Sequence, residues 1–494
     1  MTGNTSYIED HFGANKIMGY SDKNVSANGC CLIKEGVLVK FVDKNRTEYT
    51  IPNGVTTIGK GAFLGCDRLK SITIPNGVTS IGNDAFCGCS SLTSINIPDS
   101  VTTIRWYAFS GCSSLTDVTT SERWVNYFAG FNSVKRINGK DVISDGCLKL
   151  LGDKLVLVDK GASSVSIPAT VKSIAPMAFM GCGKLTHVNV ADLNLWLRSG
   201  VYMSECNGWQ LYHNGKLVTN VTIPYGVTEI VDGQFCYNKS LTSITIPNGV
   251  TRIGDDALCG CSSLSSITIP ASVKEIGDDA FYGCRSLTSV TIGNGVTSIG
   301  EGAFEYCSSL GSITMPASVK EIGESAFEDC SSLSSITIPA SVKEIGESAF
   351  EDCSSLTNVT ISNSVTKIGD YAFYGCSSLG SITIPASVKE IGESAFYNCS
   401  SLYSVTIGNG VTKIGNYAFR GCTNLGSITI PASVTYIGKD VFNSSPYIYM
   451  KGATPPTLDG RFYGCDIYVP ENALFNYRTA YVWKDMADRI YPMD

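Results

Sequence analysis

The chain has 494 residues, 43% of them apolar and 16% charged, with 37 Lys and Arg against 44 Asp and Glu and a net charge of −7. A large core is within reach, whereas the diffuse basic field that holds phosphate backbones is absent, so nucleic acid is not an expected partner. Three histidines, His11, His187 and His213, leave too little imidazole for a zinc-hydrolase site or a Ser/His/Asp relay, and no apolar run is long enough to predict membrane insertion.

Residues 1–46 read as an N-terminal flank. Met1 to Tyr20 lacks the basic start and continuous apolar stretch of a secretory signal, so the expectation from this segment alone is an intracellular protein, a chain whose leader lies outside this sequence, or a part of a larger assembly. From there a unit of 23 residues takes over. Residues 47–119 hold three copies, beginning at Tyr49, Ile72 and Ile95. An irregular, aromatic-containing insert covers 120–163, a single copy at Val165 occupies 164–190, and a second insert covers 191–219. Ten unbroken copies then fill 220–438, at Val221, Ile244, Ile267, Val290, Ile313, Ile336, Val359, Ile382, Val405 and Ile428. A period inside the 20–29 range with regular Leu and Ile columns is the mark of a leucine-rich solenoid.

The copy Ser266 to Thr288 shows how each turn is built. Ile267-Thr268-Ile269 alternates as a half-buried strand does, and Pro270 removes a donor and ends it. Val273 and Ile276 face inward from a second extended piece, Gly277 permits the bend, and Ala280, Phe281, Cys284 and Leu287 fill the space between turns. The expected fold is therefore a repeat solenoid, a superhelix with one short parallel-ladder strand per turn plus a second short extended segment. One unit cannot cover its own apolar face, so neighbour contacts dominate the stability. Residues 439–494 leave the pattern as a C-terminal cap, with Ala473 to Arg489 predicted as one helix carrying Tyr477, Tyr481, Trp483 and Met486 toward one side.

Three columns and a set of tryptophans bear on function. Cysteines recur every 23 residues from Cys261 to Cys422 and from Cys66 to Cys112. They admit reading as buried thiols, metal ligands or bridges between turns, with parallel side-chain directions favouring buried thiols. No C-x-x-C grouping is present, so neither a metal nor a cofactor is expected. The acidic column Asp255, Asp278, Glu301, Glu324, Glu347, Asp370 and Glu393 reads either as a solvated stripe or as divalent-cation ligands. Thr268, Thr291, Thr314, Thr337, Thr360, Thr383 and Thr406 point out of the strand face, either as simple β-formers or as a recognition surface that loses little entropy on binding. Trp124, Trp196 and Trp209, in the inserts, read either as partner-binding anchors or as small satellite cores.

Leu333 to Pro339, with Ile336 and Ile338 in the later Leu slots, and Ile345 to Cys353, carrying Ile-x-x-x-Ala-Phe-x-x-Cys, make the chain resemble the BspA-like leucine-rich repeat family. Leu211-Tyr212-His213-Asn214-Gly215 resembles that family's interruptions. Ala453 to Thr457, with Ile467-Tyr468-Val469-Pro470 and Tyr477 to Trp483, resembles its C-terminal cap. The resemblance implies a curved solenoid that is secreted or on a bacterial or protist cell surface, binding proteins or cell-surface glycans in adhesion, with no catalytic residues. The expected function is thus a non-enzymatic binding or adhesion protein. The alternative is a structural spacer or stalk that displays an insert or partner domain.

Overall fold

The computed structural model describes residues 29–442 and 447–493. Residues 1–28, which include most of the N-terminal flank and His11, lie outside the described residues. The chain forms a parallel β-solenoid of about 20 turns with roughly 23 residues in each. It divides into two compact units, one made of the chain up to Asp159 with Thr170–Ala178, the other of Lys160–Ala169 with the chain from Phe179 onward.

Within the second unit the predicted period sets the strand register. Ser266–Ile269 pairs in parallel with Ser289–Ile292, each residue meeting the one 23 positions later, and the same step relates Glu275–Ile276 to Ser298–Ile299. Every inward residue predicted in the copy at Ser266 is buried: Ile267, Ile269, Val273, Ile276, Ala280, Phe281, Cys284 and Leu287. Equivalent phenylalanines form a continuous column. Phe281, Phe304, Phe327, Phe350, Phe373, Phe396 and Phe419 stack with centroids 5.1 to 5.4 Å apart.

Backbone bonds between turns run in two senses. On the turn side the N–H groups reach forward, as from Leu258 to the Ala280 carbonyl (2.8 Å), Phe281 to Ala303 (2.8 Å) and Gly283 to Glu305 (2.7 Å). At the second extended segment they reach backward, as from Lys274 to Thr251 (2.8 Å) and Gly277 to Ile253 (2.8 Å). The glycine column does not serve the bend that its position predicts. Gly277 is not left-handed; a Cβ there would lie 2.4 Å from Asp255 Oδ1 and 2.6 Å from the Gly254 backbone, so glycine is required by the close approach of the preceding turn. The left-handed positions of this copy are Asp279 (φ 53°) and Gly283 (φ 65°).

The irregular segments remain tied to the ladder. In the first unit, helix Glu122–Ala129 buries Val125, Phe128 and Ala129. Arg136–Ile137 pairs in parallel with the preceding strand before an antiparallel run of three strands, Lys140–Asp145, Leu148–Leu151 and Lys154–Val158. The hairpin Cys31–Lys34 and Val37–Phe41 joins the first parallel strands, with Phe41 packed 4.9 Å from Phe63. In the second unit, Gln210–His213 pairs with His187–Val190 at the 23-residue step. At the C-terminus the ladder continues through Tyr447–Met450, Asp466–Pro470 and Ile490–Met493.

The helix predicted from Ala473 to Arg489 is two pieces. An α-helix covers Leu474–Thr479 and a 3-10 segment covers Trp483–Arg489. Extended backbone at Ala480 and φ of 63° at Val482 separate them. Tyr477, Trp483 and Met486 are buried, while the break turns Tyr481 outward to 85% exposure. Tyr477 Oη donates to the Gly452 carbonyl (2.9 Å) and Trp483 Nε1 to that of Pro456 (2.7 Å), which locks the segment over the last turns. Among the described residues no helix is long and apolar enough to cross a membrane.

Candidate functional site

The cysteine column is a hydrogen-bonded core element. Along the long array the thiols donate to the carbonyl of the aromatic-column residue one turn earlier: Cys307 to Phe281, Cys330 to Phe304, Cys353 to Phe327, Cys376 to Phe350 and Cys399 to Phe373, all at 3.2 Å. The column from Cys261 to Cys422 holds no disulfide. Burial raises the thiols from Cys284 to Cys422 above their ordinary value and pushes Cys112 up to about 12, so these members of the column remain protonated and able to donate. Asn238, which holds the same slot, accepts instead from the Ser240 and Leu241 N–H groups at 2.9 and 3.0 Å and closes the turn.

Aspartates of the acidic column are engaged in the same way. Asp255 Oδ1 accepts from Asp278 N (3.3 Å), Asp278 Oδ1 from Glu301 N (2.9 Å) and Asp370 Oδ1 from Glu393 N (2.7 Å). The shorter Asp side chain thus satisfies a backbone donor of the next turn. Arg252 gathers four carboxylates, those of Glu229 (2.6 Å), Asp232 (2.9 Å), Asp255 (3.0 Å) and Glu275 (3.6 Å). The hydrogen bond to Glu229, followed by the hydrogen bond and charge of Asp232 and the charge of Asp255, holds its guanidinium above its ordinary range.

Hydroxyls divide into committed and uncommitted rows. Thr288 donates to Ser265 O and Thr357 to Ser334 O, both at 3.0 Å. On the second extended segment Thr297 donates to Lys274 O and Thr366 to Lys343 O, both at 3.1 Å. The strand-face row differs. Thr268, Thr291, Thr314, Thr337, Thr360, Thr383 and Thr406 are exposed, and among the described residues their hydroxyls bond to no other group. Ser266, Ser289, Ser312, Ser335, Ser381 and Ser404 form a parallel exposed row two residues earlier. The pleat sends Ile and Val inward and leaves a face of hydroxyls without charge.

That face ends in aromatics. The register carries the threonine row from Thr429 to Tyr449, Tyr468 and Tyr491 on successive strands. Tyr449 and Tyr468 stack at 5.1 Å, Tyr491 lies 5.7 Å from Tyr468, and Tyr447 lies 6.3 Å from it. The tyrosines escape the sequence reading because the first two spacings, 20 and 19 residues, depart from the 23-residue period before the third restores it, and only the strand pairing aligns them.

The tryptophans take different places from those of exposed anchors. Trp196 and Trp209 are 0% exposed and 5.7 Å apart, so neither presents a surface to a partner. Trp209 Nε1 donates to the Cys236 carbonyl at 2.8 Å, whereas Trp196 Nε1 is buried without a partner. Packing of the insert against the Phe179 column, with Phe179 and Trp196 centroids 5.3 Å apart, is the physical reason. Trp124 is half-buried and donates to the Val101 carbonyl at 3.0 Å, tying its helix to the ladder. Trp106 is the outward-facing tryptophan, 76% exposed at a turn.

No curated protein matches the chain. Among solved structures it is similar to a leucine-rich repeat protein from Bacteroides ovatus ATCC 8483, with 26% identity, 81% of this chain and 90% of that chain covered, and a TM-score of 0.35. It is also similar to a leucine rich cell surface protein from Faecalibacterium prausnitzii A2-165, with 27% identity, 78% and 94% covered, and a TM-score of 0.34. A T. pallidum leucine rich repeat protein shares 34% identity over 33% of this chain and 78% of its own, with a TM-score of 0.31. The model of the BspA type leucine rich repeat region matches residues 39–142, 158–207, 208–334 and 320–449 in six copies. The chain therefore belongs to the BspA-type leucine-rich repeat family.

Proposed function

We propose that this protein is a non-catalytic binding protein of the cell surface, which engages a protein or surface glycan in adhesion through the strand face of its long repeat array. The observation that carries the reading is the exposed threonine row with uncommitted hydroxyls, running into the plate of Tyr449, Tyr468 and Tyr491. A rigid ladder loses little conformational freedom on association, its hydroxyls offer both donors and acceptors, and tyrosine concentrates binding energy at interfaces. The columns are repetitive, where a catalytic pair is singular.

The test is capture of host matrix proteins and surface glycans by the intact chain, followed by the Thr337→Lys/Thr360→Lys and Tyr449→Ser/Tyr468→Ser variants. Exposed threonines away from any bond tolerate substitution within about 0.5 kcal/mol, so melting is expected to hold. Affinity for the captured partner is expected to fall about 30-fold for the tyrosine pair, the ~2 kcal/mol of a hot spot. Unchanged affinity in both variants would rule out this face.

Near-identical neighbours, Ser335 to Leu356 beside Ser312 to Leu333, favour a second reading in which array length spaces a displayed element. Deleting residues 312–357 separates the two. A spacer retains its activity, whereas a partner that follows the strand face is released.

A further inference from the structure

The residue directly after the aromatic column is variable and, in most turns of the long array, half-buried: Tyr282, Glu305, Glu328, Glu351, Tyr374, Tyr397 and Arg420. On two consecutive turns it is cysteine. Cys236 and Cys259 stand one period apart, and Asp256, three residues before Cys259, has a left-handed φ of 55°. The Sγ atoms of the two cysteines and a carboxylate oxygen of Asp256 lie within 4.8 Å of one another. We propose that Cys236, Cys259 and Asp256 form a binding site for a thiophilic divalent cation of the zinc class, independent of the strand face.

Three features support a built site. The backbone around the ligands is pinned, since Trp209 Nε1 donates to the Cys236 carbonyl (2.8 Å), Tyr237 N to that of Cys259 (2.6 Å) and Cys259 N to that of Asp256 (3.1 Å). Both cysteines are buried while Asp256 is half-buried, which gives the set an inner soft pair and an outer hard ligand with an approach from solvent. Arg252 pairs with the neighbouring Asp232 and Asp255, and Asp256 has no ion pair among the described residues. Two thiolates and one carboxylate are a donor set that zinc accepts, with a fourth tetrahedral position open to water. Binding replaces the two S–H bonds by metal–sulfur bonds and releases two protons, so the loaded centre carries one negative charge.

The repeats supply an internal control. Asp84 and Cys87 reproduce the Asp256 and Cys259 positions in the first unit, but the preceding turn has Leu64 where the site needs Cys236. That set has one thiol and is not expected to hold the ion.

The experiment titrates the reduced intact chain with Cd2+ alone and follows the near-ultraviolet thiolate-to-metal band. One equivalent is expected, with the band lost in Cys236→Ser and in Cys259→Ser and affinity lowered about tenfold or more in Asp256→Asn. Cys87→Ser is expected to leave the band intact, and far-ultraviolet dichroism checks the fold of each variant. Leu64→Cys is expected to raise the stoichiometry from one equivalent to two, an arm that does not depend on a tolerated loss at 236 or 259. No band in the folded reduced chain overturns the proposal. So does a band of equal size after Cys236→Ser/Cys259→Ser, or a Cys236–Cys259 disulfide that forms equally well with Cd2+ present.

Discussion

Phe350→Ala is the sharpest probe of how this solenoid is held together. Phe350 is fully buried and stacks at 5.4 Å on Phe327 and on Phe373, with interplanar angles of 3° and 6°. Truncating a buried phenylalanine costs about 3–5 kcal/mol, and the upper part of that range is expected because two rings lose a face at once. Coupling should be local. In a double-mutant cycle read by urea unfolding, Phe350→Ala with Phe373→Ala is expected to couple by about 0.5–1.5 kcal/mol. Phe350→Ala with Phe419→Ala, three turns away, is expected to add within about 0.5 kcal/mol. Hydrogen exchange should place the lost protection in the turns around Phe327, Phe350 and Phe373. A loss below about 1 kcal/mol, or equal coupling for near and distant pairs, would refute the claim that neighbouring turns carry the energy.

Acid should stabilise the array in the neutral range. Burial, followed by Glu328, Asp279 and Asp329, pushes Glu305 up to about 7, and burial also raises Glu324 and Glu351. These folded-state values exceed the unfolded ones, so stability is gained as pH falls from about 7 toward about 4.5 and lost as pH rises through that window. The melting temperature is expected to be higher near pH 5.5 than near pH 8, with the difference reduced in Glu305→Gln, and a melt that rises with pH would contradict this. Thiol labelling of the native chain is expected to reach the half-buried Cys87 and Cys147 first and the ladder cysteines only on unfolding. Rapid labelling at Cys330 or Cys353 would remove the core assignment. Trp209→Phe is expected to cost about 1–3 kcal/mol more than Trp196→Phe in chemical denaturation, because it alone orphans a buried carbonyl. Equal costs would show that the indole bond contributes nothing.

Most of the ladder is legible in the sequence because one period governs both side-chain column and backbone register. Ile267, Val273, Phe281 and Cys284 each recur at the step that pairs the strands. Legibility ends where the reason for a residue lies on another turn. Gly277 looks like a bend residue until the Gly254 backbone is seen beneath it. The helical spacing of Tyr477, Tyr481, Trp483 and Met486 is real, but the backbone at Ala480 and Val482 interrupts it, because the segment must bend over the last turns to reach the strand at Ile490. Aromatic enrichment in the inserts leaves anchors and satellite cores both open, and burial decides for core at Trp196 and Trp209. The tyrosine plate and the cluster of Cys236, Asp256 and Cys259 are assembled by pairing between turns, which no local motif records.

The opposed senses of the bonds between turns have an electrostatic consequence. In an α-helix every peptide points the same way and partial charge accumulates at the two ends. Here the forward-donating amides of Leu258, Phe281 and Gly283 are set against the backward-donating amides of Lys274 and Gly277, and the strand dipoles largely cancel among themselves. Adding a coil therefore builds up little axial moment. The array can lengthen or shorten by whole coils without requiring compensating charge at its termini, which leaves covering the apolar ends as the principal task of the terminal segments.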